Sequence, residues 1–300
     1  MYDEEHYGNV TVLRARNGGV VPYGNSVVVH GSTGTLVVDP PLALDHDPVG
    51  ADAVLISHAH EDHIAGLKYF TADTFTHAAD ATAVGSIDAM LAQYGLSPET
   101  AEEMARYVRA EYGIEDRRDG VRAIDDGHVF DLGDRTATVI HLPGHTPGHC
   151  GLLIEPDGFL YVADIDLTSF GPMYADVHSS IDDFLASLAT VFGIDARWYG
   201  TFHHKGVVDG SEDFRARVSL YRDKILSREE RLLDFLDEPR TVADIVAHRL
   251  VYRPHVDMPY VDAVERRTAE LHLERLLRAE QIVVDDDPGA PGADARYARV

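Results

Sequence analysis

The seven residues Ser57-His58-Ala59-His60-Glu61-Asp62-His63 place three histidines and two acids directly behind the apolar run Ala53-Val54-Leu55-Ile56. Imidazole nitrogen suits Zn²⁺, Fe or Mn²⁺, and a carboxylate adds a hard, charged ligand. A strand that ends in a turn lets alternate side chains converge, so His58 and His60 can face one ion while Asp62 and His63 face a second. The chain holds 17 histidines in 300 residues. A chance polar loop is therefore a poor explanation for four ligand-type residues in HxHxDH register.

Three later segments repeat the theme of ligand-type residues behind a strand. Leu142-Pro143-Gly144-His145-Thr146-Pro147-Gly148-His149-Cys150 carries two histidines in a turn tightened by Pro and Gly. One of them can complete a tri-histidine site, and His149 can instead brace the loop. Cys150 opens a strand-like run and reads as a small buried residue. Tyr161-Val162-Ala163-Asp164 ends an apolar strand on an acid, and a carboxylate there needs a partner such as two bridged metals. Thr201-Phe202-His203-His204-Lys205-Gly206 offers His203 or His204 as a last ligand.

In this order the four motifs resemble those of the metallo-β-lactamase superfamily, over roughly residues 8–210. The resemblance implies an α/β fold, an αββα sandwich with the site at the shared edge of its two sheets. It implies that His58, His60 and His145 hold a first metal and that Asp62, His63 and the last histidine hold a second, with Asp164 bridging. The His-Lys-Gly register selects His204, while counting forward from the preceding strand keeps His203. Two ions per chain are expected, zinc first and iron or manganese as alternatives. The implied chemistry is hydrolysis by a metal-bridging hydroxide, which needs no Ser-His-Asp triad. Asp62 would orient that hydroxide as well as bind metal. Lys205, one of three lysines, could grip a substrate anion, and the Phe170–Tyr174 loop, with Tyr174, could line the pocket. The His145–His149 motif is similar to the glyoxalase II branch, so a thioester such as an acylglutathione is the first substrate expected. A phosphodiesterase or endoribonuclease of the lactamase-beta-2-like type is an alternative. A nucleic-acid-binding regulator that retains the site is another.

The elements needed to position these motifs are legible. Strands are predicted at 9–13, 26–30, 35–39, 53–57, 121–124, 128–132, 136–142, 151–154, 159–163 and 196–202. Helices are predicted at 81–91, 97–110 and 182–192. After Gly210 the pattern changes to helices at 211–236, from 241 and at 263–279, then strands at 281–284 and 296–300 around a loose Asp/Gly/Pro loop at 285–294. Three helices and a two-stranded wing read as a winged-helix-like α+β unit. The division expected is 1–215 for the catalytic domain and 216–300 for this extension.

Composition narrows the function classes. The chain has 51 Asp and Glu against 26 Lys and Arg, a formal charge of −25. Such a surface repels nucleic acid and anionic membranes. Helix 263–279 mixes Arg266, Arg267, Arg275 and Arg278 with Glu265, Glu270, Glu274 and Glu280, so packing, a homodimer contact or substrate gating is expected before DNA binding. A small-molecule substrate remains. No run approaches a membrane span, the acidic start Met1–His6 does not read as a signal peptide, and the single Cys150 fits a reducing cytoplasm. The Asp-rich, Lys-poor balance resembles proteins of salt-in halophiles, notably haloarchaea.

Self-repulsion among these carboxylates is screened as the Debye length falls to about 3 Å at molar salt. The midpoint of thermal unfolding is expected to rise between 0.1 and 3 M KCl. A flat or falling midpoint would assign the acidic surface another purpose.

Overall fold

A computed structural model describes residues 2–115, 118–256, 258, 260–285 and 295–300. Of the loop expected at 285–294, only Asp285 belongs to them, as the end of a strand; the rest lies outside the described residues.

Two sheets face each other. The first joins β1 (Tyr2–Tyr7), β2 (Val10–Ala15), β3 (Ser26–His30), β4 (Thr35–Val38), β5 (Ala53–Ile56), β6 (Asp73–His77) and β7 (Val121–Ile124) in chain order. Its first four strands pair antiparallel and the rest parallel. The second sheet comprises β8 (Val129–Asp131), β9 (Thr136–His141), β10 (Cys150–Glu155), β11 (Phe159–Tyr161), β12 (Trp198–Gly200) and β13 (Val207–Asp209). Its order is β13-β12-β11-β10-β9-β8.

Side chains alternate across a strand, so one apolar run serves two cores. Val27 and Val29, Leu36 and Val38, and Leu55 point between the sheets, where they meet Leu152, Ile154, Phe159 and Tyr161. Val28, Val37, Val54 and Ile56 point outward, under the helices α2 (Ala81–Val84), α3 (Ile87–Gln93) and α4 (Pro98–Tyr107). These follow the one-turn helix α1 (Glu61–Ile64). Leu160 and Tyr199 face the other outer layer, formed by α5 (Ile181–Gly193) and α6 (Ser211–Phe235). Helix, sheet, sheet, helix is the layering expected from the sequence. The predicted helix 81–91 is broken at Gly85, which caps α2 before Ser86 starts α3.

Helix α6 serves two cores. Phe214, Val218, Tyr221 and Ile225 pack on the second sheet. Leu232 and Leu236 pack with Ile245 of α7 (Val242–His248) and with Ala269, Leu273 and Leu276 of α8 (Val261–Arg278). A small sheet closes this end in the order β14 (Arg240–Thr241), β16 (Arg296–Arg299), β15 (Ile282–Asp285). The division expected at 215/216 thus falls inside a continuous helix. Among the described residues, no helix is long and apolar enough to cross a membrane.

The turn after α7 is held by one buried side chain. Glu265 is fully buried, and its carboxylate accepts the backbone N–H groups of Leu250 (2.7 Å), Val251 (3.0 Å) and Tyr252 (2.7 Å). Each buried donor left unpaired costs about 1–3 kcal/mol. Glu265→Ala is therefore expected to destabilise the fold by roughly 3 kcal/mol or more in urea unfolding. A loss under about 1 kcal/mol would mean that water replaces the carboxylate.

Candidate metal centre

The four motifs leave their strands at one shared edge. Residues 57–63 follow β5, and α1 sets Asp62 and His63 in its single turn while His60 precedes it in extended conformation. The 142–149 loop follows β9, Asp164 follows β11, and His203 follows β12. Two glycines make the second loop possible. Gly144 has φ +127°, and a Cβ there would lie 2.3 Å from the Phe184 nitrogen; at Gly148 it would meet the Asp80 carboxylate at 2.6 Å.

Five imidazoles point one nitrogen inward because something holds the other. His63 Nδ1 lies 3.0 Å from Asp39 Oδ2. His60 Nε2 lies 2.9 Å from Asp176 Oδ2. His145 Nδ1 donates to the Met173 carbonyl (2.8 Å) and His203 Nδ1 to the Gly19 carbonyl (2.7 Å). His58 Nδ1 meets the Ser57 hydroxyl at 3.1 Å. Such partners orient metal-binding histidines and raise their basicity.

The inward atoms form two groups. His58 Nε2, His60 Nδ1 and His145 Nε2 converge with Asp164, and Asp62 converges with His63 Nε2 and His203 Nε2; within each group the donor atoms lie within 4.8 Å of one another. His58 Nε2 is 3.0 Å and His145 Nε2 is 3.2 Å from His60 Nδ1. His203 Nε2 is 3.1 Å from Asp62 Oδ2. Asp164 stands between the groups, with Oδ2 3.4 Å from His145 Nε2 and Oδ1 3.0 Å from His63 Nε2. That last pair of buried atoms makes no hydrogen bond, so both are left aimed at the space between the groups.

Electrostatics follow from this crowding. Burial, and then the neighbouring His63 and His60 rings, hold His58 well below the ordinary imidazole value. Burial opposes charge on His203 too, but Asp164, Asp62 and Asp166 outweigh it and raise its pKa to about 10. For Asp164, His63 and His203 outweigh burial and keep the carboxylate well below its usual range. Burial and the Asp164 charge push Asp166 up to about 8. Nitrogens stacked at 3 Å and a carboxylate shared between groups are a donor set for two cations. His58, His60 and His145 would hold one, Asp62, His63 and His203 the other, and Asp164 would touch both. Binding them must displace protons from the raised histidines, so loading weakens as pH falls.

The structure brings His58, His60, Asp62, His63, His145 and Asp164 together, and of the two candidate last histidines it places His203 with them. His203 belongs to the cluster, whereas His204 is exposed and sits in a left-handed turn with φ +55°. The turn reverses immediately after His203, whose carbonyl accepts from Lys205 N and the Thr201 hydroxyl, both at 2.7 Å. The strand edge, not the His-Lys-Gly register, decides which ring points inward. Lys205 is exposed beside it. Tyr174 does not line the site: it is 1% exposed, and its hydroxyl lies between His272 Nε2 and Arg228, 3.0 Å from each. His149 braces rather than ligates, with Nδ1 donating to the Leu142 carbonyl and Nε2 accepting from Asp164 N. Cys150 is buried against the Ser57 carbonyl.

The motifs did not reveal three supporting acids. Asp39 ends β4 as Asp164 ends β11, and the same reasoning would have found it. Asp80 joins the two ligand loops by accepting from Ala59 N, Thr146 Oγ1 and Gly148 N. Asp176 is tied in turn to Ser179 and, through its carbonyl, to Arg267 of α8. Neither carries a local signal, because each acts across more than twenty residues of sequence.

A family model described as the metallo-beta-lactamase superfamily matches residues 19–204. An acyl-coenzyme A thioesterase of Gallus gallus is 30% identical over 158 residues, 47% of this chain and 57% of that protein. An atrochrysone carboxyl ACP thioesterase of Pseudocercospora fijiensis (strain CIRAD86) is 28% identical over 166 residues, 54% of this chain and 45% of that one. The chain thus spans about half the length of the curated relatives it matches. Among solved structures, a metallo-beta-lactamase family protein from Thermus thermophilus aligns with TM-score 0.69 at 20% identity, covering 97% of this chain and 99% of its own. A beta-lactamase domain protein from Burkholderia ambifaria aligns with TM-score 0.72 at 19% identity, covering 99% and 94%.

Removing one inward nitrogen should empty one half of the site. His203→Ala is expected to lower metal content from about two ions per chain to about one, and His204→Ala to leave it unchanged, by elemental analysis of protein purified without chelator. The reverse pattern would return the last ligand to His204.

Proposed function

We propose that this chain, which belongs to the metallo-beta-lactamase superfamily, hydrolyses acyl thioesters at a dinuclear metal centre. The observation that carries the reading is that both curated relatives are named for cleaving an acyl–sulfur bond, although their acyl carriers differ. The donor set supports it: nitrogen and carboxylate ligands with no thiolate suit zinc first, and iron or manganese also. When bound, two such ions would supply an activated water and polarise the thioester carbonyl.

The chain's own residues set the geometry around that reaction. The side chains of His58 and His63 are fully buried, whereas His60, Asp62 and Asp164 retain 16, 10 and 11% exposure. Substrate therefore approaches from the side of these three. Asp62, held by His203, orients the attacking water and receives its proton. The Tyr94 ring lies tilted against that of His60, with centroids 5.5 Å apart, and walls the approach. A thiolate leaving group has a pKa near 8.5, so it departs without a general acid. That fits a site whose remaining histidines are tied to ligand or bracing positions. Residues 216–300 form a winged-helix-like unit in this reading. Its α8 arginines serve packing, since Arg267 holds the Val177 carbonyl and Arg275 and Arg278 pair with Asp182.

The test is turnover by the metal-loaded protein of an acyl-CoA, an acylglutathione, a lactone and a phosphodiester. Thioester cleavage is expected, lost to a chelator and restored by Zn²⁺, and reduced at least about 100-fold by Asp62→Ala. Turnover of the phosphodiester with none of either thioester would overturn the reading.

A further inference from the structure

A cavity of about 590 Å³ opens beside the catalytic layer, between α6, the 250–256 turn and Ser169-Phe170. Its lining includes Lys224, Arg228, Arg231 and Arg253, with no acid among the described residues. In a chain where acids outnumber bases 51 to 26, four cations around one concavity run against the composition. Among the described residues, none of the four makes an ion pair with a carboxylate. Arg228 is the sharpest case. It is 3% exposed, and among the described residues its guanidinium donates to neutral oxygens alone: the Phe170 carbonyl (2.9 Å), the Pro172 carbonyl (2.5 Å) and the Tyr174 hydroxyl (3.0 Å). A buried cation without a counter-charge is costly, and an anion in the cavity would supply one. The rest of the wall mixes the polar Ser169, Ser227 and His255 with apolar and aromatic side chains, among them the Phe170 and Tyr252 rings 5.5 Å apart. Guanidinium groups match phosphate oxygens in pairs, and aromatic faces accept a flat heterocycle.

Helix α6 links this cavity to the metal centre. The Tyr221 hydroxyl lies 3.4 Å from the Asp164 carbonyl. Lys224, Arg228 and Arg231 follow at i+3, i+7 and i+10 on the same helix face, roughly 5 to 15 Å further along the axis. An extended pantetheine arm covers a separation of that order.

We infer that this cavity binds a phosphorylated nucleotide, the adenosine 3′,5′-bisphosphate end of a coenzyme A thioester whose acyl–sulfur bond lies at the His/Asp centre. The identity of the ligand rests on the thioester reading above; the existence of a polyanion site rests on the cavity alone. The substrate class is then acyl-CoA in preference to acylglutathione, which carries no phosphate.

Calorimetry on the metal-loaded full chain at low salt, with adenosine 3′,5′-bisphosphate and with inorganic phosphate, tests the site directly. The bisphosphate is expected to bind, and the double variant Lys224→Ala/Arg253→Ala, which changes two exposed side chains, to weaken it at least tenfold. The same variant should raise KM for an acyl-CoA about tenfold with kcat unchanged. It should leave KM for the matching N-acetylcysteamine thioester, which lacks the nucleotide, unaltered. The inference fails if the bisphosphate does not bind, if the double variant leaves its binding unchanged, or if inorganic phosphate binds as tightly. Variant-sensitive bisphosphate binding in a protein that cleaves no thioester would keep the nucleotide site and remove the thioester reading.

Discussion

An imidazole has two nitrogens, and it can aim one at a chosen point only if the other is fixed. That constraint organises this molecule. His58, His60, His63, His145 and His203 each use one nitrogen inward, and their outer nitrogens end on a hydroxyl, two carboxylates and two backbone carbonyls. Those five anchors come from four separate stretches of chain, around Gly19, Asp39, Ser57 and Met173–Asp176. The two sheets, their glycine turns and the loops behind them exist at this edge in the arrangement that puts five anchors around one space. Asp80 shows the same economy from the other side, since one carboxylate fastens both histidine loops.

Two of the anchors depend on residues far beyond the sandwich. Met173 and Asp176, which hold His145 and His60, belong to a strap running from Phe170 to Ser179. Arg228 of α6 grips the strap at Phe170, Pro172 and Tyr174. His272 of α8 meets Tyr174, and Arg267 of α8 grips the carbonyls of Asp176 and Val177. Glu229 completes the layer, paired with His272 and Arg275 and held down to a pKa of about 2: their hydrogen bonds and positive charge outweigh the opposing effect of burial. The C-terminal helices are thus the outer support of the metal-ligand loops, not an appendage to them.

Much of this was legible in the residues. Strands β3, β4 and β5 announce themselves as apolar runs that alternate faces, and the ligand motifs follow strand ends because a strand end is where a polar side chain can turn inward. What could not be read has a common cause. β1 carries acids at three consecutive positions, Asp3, Glu4 and Glu5, of an edge strand, so it shows no alternation. β6 has one apolar residue in five, and β13 is only three residues long. The choice between His203 and His204 turned on one residue of register: the chain turns at His204, with its positive φ, and leaves the His203 ring in the cluster, which no composition reveals. Tyr174 was expected in the pocket because it follows a ligand closely, but an aromatic hydroxyl with two buried partners belongs to packing. Asp80 and Asp176 act on loops far away in sequence, and only the fold brings them there.

Helix α6 has a consequence for how the chain comes apart. At 25 residues it is about 37 Å long, and its two halves belong to different hydrophobic cores. Leu271 of α8 also sits in the core that covers the second sheet. Melting the C-terminal end therefore uncovers apolar surface on the sandwich, and loosening the sandwich frays the helix that seeds the other core. The two compartments are expected to share one folding transition, and a cut at 215/216 would leave five residues of α6 on one piece and twenty on the other, with an open apolar face on the sandwich.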